Sequence, residues 1–110
     1  MEVAGKAGLE EVRQLIQDGA DINAKDKNKS TPLMSAAEYN TNPEVLKVLL
    51  EADTDVNAQS KNGWTPLMHV ALYNTNPEVL KVLLEAGADV NAKEDRYGST
   101  PLNFISIYNI

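Results

Sequence analysis

A stretch of fourteen residues, YNTNPEVLKVLLEA, occupies positions 39–52 and recurs without change at positions 73–86. The offset of 34 residues lies within the range of periods that repeat proteins use. An identical stretch of this length at a fixed offset indicates a tandem array in which each copy belongs to one structural unit. Because a single unit cannot bury its apolar side chains alone, we expect the array to fold as a whole.

The repeated stretch has the pattern of an α-helix. Thr41 or Asn42 can cap the helix start through a side-chain oxygen, and Pro43 suits the first helical position. Valine and leucine dominate the following residues and leave Lys47 and Glu51 for water. Such a helix is apolar around most of its circumference and needs neighbours on several sides.

A more polar copy of this helix is predicted at residues 9–17, as expected for a terminal helix with a neighbour on one side only. It should end at Asp18-Gly19, because glycine readily adopts the left-handed backbone that closes a helix. The residues before it, 1–8, are compatible with a brief helix that ends near Gly8.

Three polar loops connect these helices to shorter ones. Each loop begins with Asp, then Ile or Val, then Asn, and continues into residues that favour tight, hairpin-like turns. A Thr-Pro-Leu triplet follows each loop, at Thr31, Thr65 and Thr100, where threonine can cap and proline can open a second helix. One unit is therefore a loop, a short helix, a turn and a longer helix.

This order of motifs resembles the ankyrin repeat: Thr-Pro-Leu, a small pair such as Ala36-Ala37, a long valine- and leucine-rich helix, and then Gly-Ala-Asp-Val-Asn-Ala at 87–92. The resemblance covers the whole chain. It implies an all-α solenoid of antiparallel helix pairs with projecting β-hairpin-like loops and a concave face formed by the short helices and loops. We expect one domain that comprises a partial repeat at 1–30, repeats at 31–64 and 65–99, and a partial repeat at 100–110.

The chain departs from the family pattern in two ways. The Thr-Pro-Leu triplets are 34 and then 35 residues apart, against about 33 in the family, because each Tyr-Asn-Thr-Asn-Pro turn and the last loop gain a residue. In addition, the family histidine that follows the triplet is replaced by Met34, Met68 and Asn103. We therefore expect the loop hydrogen bond of that histidine to be absent or made differently.

The composition argues against catalysis and against a bound metal or cofactor. The chain has no cysteine, and His69 is its single histidine, so a common zinc site or nucleophile-base pair cannot form. The segment from Asp53 to Asn57 imitates the start of a calcium loop, but Ala58 and Trp64 stand where glycine and glutamate are required. We expect no enzyme activity and no cofactor.

The net charge of −6 argues against general nucleic-acid binding, which requires a basic surface. No apolar run approaches the length of a membrane span, and no signal pattern opens the chain. These features favour a soluble, cytoplasmic protein.

The resemblance implies a protein-interaction module with a protein partner. Positions that vary between the aligned repeats and that line the concave face in the family give the expected contact residues, together with two from the longer loop: Trp64, His69, Leu72, Ser35, Glu38, Phe104, Arg96 and Tyr97. In an alternative interpretation, Leu72 belongs to the core and Trp64 only packs on the neighbouring loop.

A structural role is the second hypothesis for function. The apolar residues Phe104, Ile105, Ile107 and Ile110 near the C-terminal repeat edge have no following helix to cover them. We therefore expect self-association through this edge of the stack, or continuation of the array in a longer protein.

Overall fold

The structure, a computed structural model, describes residues 8–40, 42–74 and 76–108, with side chains as far as residue 105 in the last helix. These residues form six helices and no strand: α1 (Leu9–Gln17), α2 (Pro32–Tyr39), α3 (Pro43–Glu51), α4 (Pro66–Tyr73), α5 (Pro77–Glu85) and α6 (Pro101–Tyr108). Most of the brief helix expected at 1–8, and Ile107 and Ile110 as side chains, lie outside the described part. None of the described helices is long and apolar enough to cross a membrane.

The short helices start where the Thr-Pro-Leu triplets predict. The hydroxyls of Thr31 and Thr65 accept hydrogen bonds of 3.3 and 3.4 Å from the backbone N–H three residues further on. In the third copy the Oδ1 atom of Asn103 instead accepts bonds from the N–H and the hydroxyl of Thr100, at 2.8 and 3.1 Å. Asn103 therefore fixes the start of α6 from the position that carries histidine in the family pattern.

The long helices also begin and end as the sequence indicates. Of the two residues expected to cap α3, Asn42 does so, and its Oδ1 atom accepts a bond of 3.0 Å from the N–H of Glu44. Beyond the helix ends, Gly19 and Gly87 have φ angles of 91° and 94°, and Asp53 has a φ of 74° at the matching position. The left-handed closure is thus common to all three long helices, with aspartate replacing glycine in one of them.

The helices form two layers. The short helices α2, α4 and α6 pack side by side, and the long helices α1, α3 and α5 form the second row. The main core lies between the layers and consists of buried residues from five helices: Val12, Leu33, Ala36, Ala37, Val45, Leu46, Leu49, Leu67, Val70, Val79, Val82 and Leu83. This arrangement confirms the all-α solenoid of helix pairs.

The Asp-x-Asn motif links consecutive repeats. Asn23 donates from Nδ2 to the carbonyl oxygen of Asp53 and accepts at Oδ1 from the N–H of Asp55, both at 3.3 Å. Asn57 makes the same pair of bonds one repeat later, at 3.2 and 2.7 Å. Asp55 and Asn57 therefore hold consecutive repeats together and stabilise the turn beside this link. This structural role accounts for the resemblance of the segment to the start of a calcium loop. The described residues contain no group of three potential metal ligands.

The extra residue in the turn between helices also serves the stack. The side chain of Asn74 donates to the carbonyl oxygens of Ala37 and Asn40 in the preceding repeat, at 2.9 and 2.8 Å. Its Oδ1 atom accepts a bond of 2.9 Å from the N–H of Asn76. The longer turn therefore connects two repeats as well as two helices.

Candidate functional site

Three hairpin loops, residues 25–30, 59–64 and 93–99, project from the helices and stack on one another. A backbone hydrogen bond closes each loop, as between the N–H of Ser60 and the carbonyl oxygen of Trp64 at 2.8 Å. Bonds between loops run from the N–H of Lys61 to the carbonyl oxygen of Asn28 at 2.8 Å, and from Asp95 to Asn62 in the same way at 2.9 Å. The loop tips thus form one continuous row, although no strand is formed.

Glycine is required where the second and third loops meet. Gly63 has a φ of 78°, and a Cβ atom added there would lie 2.6 Å from the Oδ1 atom of Asp95 and 3.1 Å from its backbone nitrogen. A side chain at Gly63 would therefore be strained by the left-handed backbone and would displace the carboxylate of Asp95. Lys29 occupies the matching position of the first loop with a φ of 60°, which is costly for a residue other than glycine.

The residue gained by the third loop is accommodated by Glu94. Its buried carboxylate accepts hydrogen bonds from the N–H groups of Arg96, Tyr97 and Ser99, at 2.8, 2.7 and 3.0 Å. The bond from Ser99 and the other two backbone bonds hold the pKa of Glu94 below its ordinary value. Asp26 organises the first loop in the same way. The third loop is one residue longer than the first, and the acid that organises it, Glu94, has a side chain one methylene longer than that of Asp26.

A groove with a volume of about 350 Å³ lies between the first two hairpin loops and the helices α2 and α4. Its loop side is polar and carries Asn28, Ser30, Ser60, Lys61 and Asn62. Its helix side carries Glu38, His69 and Tyr73, and Trp64, the last residue of the second loop, lines the groove beside them. One side of the groove therefore presents hydrogen-bonding groups, and the other side presents aromatic rings.

A polar pair lies on the helix side of the groove. The Nδ1 atom of His69 is 3.2 Å from Oε1 of Glu38. Burial lowers the pKa of His69, and the hydrogen bond and charge of Glu38 offset this only in part. The imidazole is therefore neutral near pH 7, and since a carboxylate only accepts, its proton lies on Nδ1. The Nε2 atom is then an acceptor, buried and without a partner among the described residues.

Trp64 connects the groove to a second apolar cluster. Its ring lies 5.5 Å from that of His69 and 4.7 Å from that of Phe104, measured between centroids. Leu72 also packs against this cluster and is half-buried. Phe104, expected among the contact residues, is only 8% exposed. Phe104 therefore packs against Trp64 in this cluster, and its predicted contact with a partner stays a prediction.

The structure brings only some of the predicted contact residues together. Glu38, Trp64 and His69 line the groove, whereas Arg96 and Tyr97 are exposed on the third loop, where the guanidinium lies 5.2 Å from the ring centroid. The remaining predicted residues are partly buried: Ser35 and Leu72.

Sequence reasoning missed Tyr73 on the helix side of the groove, as well as the polar residues on its loop side: Asn28, Ser30, Ser60, Lys61 and Asn62. Tyr73 is 54% exposed and lines the helix side of the groove. It belongs to the repeated fourteen-residue stretch, so a search for positions that vary between repeats passes over it. Its large aromatic side chain in an exposed position is the signal that could have found it.

The family model for ankyrin repeats, which describes three copies, matches residues 1–94 and again residues 62–109. Together the two matches cover nearly the whole chain. The chain belongs to the ankyrin repeat family. A search of curated protein sequences finds no match.

Proposed function

We propose that the protein is a non-catalytic interaction module that binds a protein partner through the groove and the adjoining hairpin loops. Ankyrin repeats are in general protein-protein interaction modules, which supports this role. The observation that carries the proposal is the combination of Trp64 and the exposed Tyr73 with the polar loop edge in one groove. Tryptophan and tyrosine are prominent among the residues that dominate binding energies at protein interfaces.

The groove has features of a site for a peptide chain. Its loop side offers amide and hydroxyl groups, and its helix side offers the aromatic side chains of Trp64 and Tyr73. A partner could place an apolar side chain on the aromatic faces and satisfy its backbone groups at the loops. Leu72, Arg96 and Tyr97 extend this proposed contact area, and Ser35 lies on the same short-helix layer.

The test is affinity capture with the immobilised chain, in which the parent and Trp64→Ala are compared and retained proteins are identified by mass spectrometry. A genuine partner should be retained by the parent and bind Trp64→Ala about 2 kcal/mol more weakly, the scale of an interface hot spot. Since Trp64 packs against Phe104, the variant needs a folding control by circular dichroism.

Tyr73→Ala provides a second variant, because this side chain is mostly exposed and its loss should leave the core intact. A matched control is Leu84→Ala, which removes an exposed apolar side chain from a long helix away from the groove. If Trp64→Ala and Tyr73→Ala, both folded, bind the captured partner as tightly as the parent, the groove is not the contact surface.

A second candidate function is self-association through the C-terminal edge of the stack. Leu102 is 67% exposed there, although the matching Leu33 and Leu67 are fully buried. Val90 and Leu84 add exposed apolar area on the last described units. We propose that a second copy covers this edge.

Light scattering over a range of concentrations tests this candidate. The parent should show an increase in mass with concentration, and Leu102→Lys should abolish it. Tyr97→Lys is the control, since it places the same charge on an exposed residue of the third loop. A parent that stays monomeric throughout would leave the interaction module as the remaining proposal.

A further inference from the structure

The hairpin loops differ in charge from the rest of the protein. They hold six of the ten basic residues against three acidic ones, whereas the remainder holds four basic and thirteen acidic residues. The six basic residues are Lys25, Lys27, Lys29, Lys61, Lys93 and Arg96. A basic edge therefore crosses a protein of net charge −6.

The basic side chains of the loops are available for an external ligand. All six residues are exposed, and none forms an ion pair in the part of the chain that the structure describes. By contrast, the carboxylates of Asp26 and Glu94 each accept backbone hydrogen bonds within their own loops. Two of the three loop carboxylates are thus occupied in holding the loops.

The stacking of the loops places these charges next to one another. The bond between Lys61 and Asn28 joins the tips of the first and second loops, so that Lys27, Lys29 and Lys61 lie at adjoining tips. The groove opens beside these tips, and Lys61 forms part of its wall. A ligand that enters the groove therefore passes the most basic part of the surface.

We propose that the hairpin tips bind an acidic segment of a protein partner, whose carboxylates face Lys27, Lys29 and Lys61 while neighbouring residues occupy the groove. This inference rests on the proposed interaction function and specifies the chemistry of the partner. Complementary charge of this kind speeds association and excludes partners of the wrong sign. Exposed lysines suit this task because they retain flexible, solvated ammonium groups.

A protein segment fits this edge better than a nucleic acid does. The longest dimension of the molecule is 39 Å, and the surface beyond the loops is strongly acidic. Exposed charges act over about 10 Å at moderate ionic strength. An extended polyanion would reach the acidic surface and be repelled there, whereas a short acidic segment can remain on the row of loops.

The test uses a fluorescein-labelled peptide in which aspartate and glutamate alternate with serine, with its binding followed by fluorescence anisotropy. The peptide should bind at low ionic strength, weaken as sodium chloride is added, and bind more tightly than its asparagine and glutamine counterpart. A single-stranded oligothymidylate is the competing probe. Tighter binding of the oligonucleotide than of the peptide would overturn the proposal.

The decisive variant is Lys27→Glu/Lys61→Glu, and its matched control is Lys47→Glu/Lys81→Glu, which changes the net charge equally on the exposed long-helix faces. The loop variant should weaken peptide binding about tenfold, and the helix variant should change it little. Equal weakening by both variants would show that only net charge matters and would refute a site at the loops. A captured partner that requires Trp64 but is unaffected by the loop variant would refute the acidic segment while leaving the interaction function intact.

Discussion

The helices α3 and α5 have the same nine residues, PEVLKVLLE, but different surroundings. Both start at an asparagine cap with a hydrogen bond of 3.0 Å. Leu46 of α3 is fully buried, whereas the matching Leu80 of α5 is half-buried; Leu50 is half-buried, whereas Leu84 is 42% exposed.

The difference arises from the neighbours of each helix. Within the described residues α3 packs between α1 and α5 in its row, whereas α5 has only α3 beside it. Identical local sequence therefore gives an identical helix that buries different positions: Leu46 rather than Leu80 at one, and Val82 rather than Val48 at another. The same substitution can therefore be made at matching positions of the repeats at 31–64 and 65–99. A difference in stability between the two variants then measures the effect of the tertiary surroundings, because the local sequence is the same.

The largest difference is expected for Leu46→Ala against Leu80→Ala. Removing a fully buried leucine leaves a cavity and should cost about 3 kcal/mol, whereas the half-buried Leu80 should cost about 1 kcal/mol. Urea unfolding of both variants measures this. Val45→Ala and Val79→Ala are the control, since both valines are fully buried and should lose equal stability. Equal costs for the two leucines would show that the neighbours do not set the energetics.

A smaller difference is expected for Asn57→Ala against Asn91→Ala. The side chain of Asn57 makes two hydrogen bonds to the next repeat, whereas that of Asn91 has no partner in the described residues. Loss of the two bonds should cost about 1.5 kcal/mol, and Asn91→Ala should cost less than about 0.5 kcal/mol. If thermal unfolding places both variants at the same midpoint, the asparagine link does not stabilise the stack.

The exchange of Asp53 and Gly87 should give opposite changes of about 1 kcal/mol, because both residues have a left-handed backbone and aspartate is strained there. Asp53→Gly should stabilise and Gly87→Asp should destabilise, as read from urea midpoints. No atom lies within 4 Å of a Cβ added at Gly87, so a steric clash does not complicate the result. A lower midpoint for Asp53→Gly would mean that contacts of the aspartate outweigh its strain.

The last effect is confined to acidic pH and is tested on the third hairpin loop; Asp26 has the same role in the first loop, whereas Ser60 replaces the acid in the second. The folded-state pKa of Glu94 is lowered by its backbone hydrogen bonds, so its contribution is present above the unfolded-state value of about 4.3 and lost as the pH falls through the lower folded-state value. The stability gap between the parent and Glu94→Gln should therefore close below about pH 4.3. Glu51→Gln, an exposed site on α3, corrects for the loss of one charge. A gap that is independent of pH would contradict this assignment.

The residues of the candidate site were only partly predictable from the sequence. Variation between repeats pointed to Glu38, Trp64 and His69 because the framework is repeated and departures from it stand out; the three line one groove, and their role in binding stays a prediction. The same comparison selected Phe104, which is largely buried and packs against Trp64 from the preceding unit. It also passed over Tyr73, because the matching Tyr39 is the same residue and the comparison selects only positions that vary.

The sequence by itself determined the local structure: the helix starts at Asn42 and at the Thr-Pro triplets, the left-handed residue at Asp53, and the period of the array. These features depend on hydrogen bonds and backbone preferences within a few residues, which the sequence states directly. Only the tertiary structure decided how deeply each copy of a repeated residue is buried. It also decided that the loop tips meet in one row. Those outcomes depend on distances between segments far apart in the chain, which two identical stretches cannot encode differently.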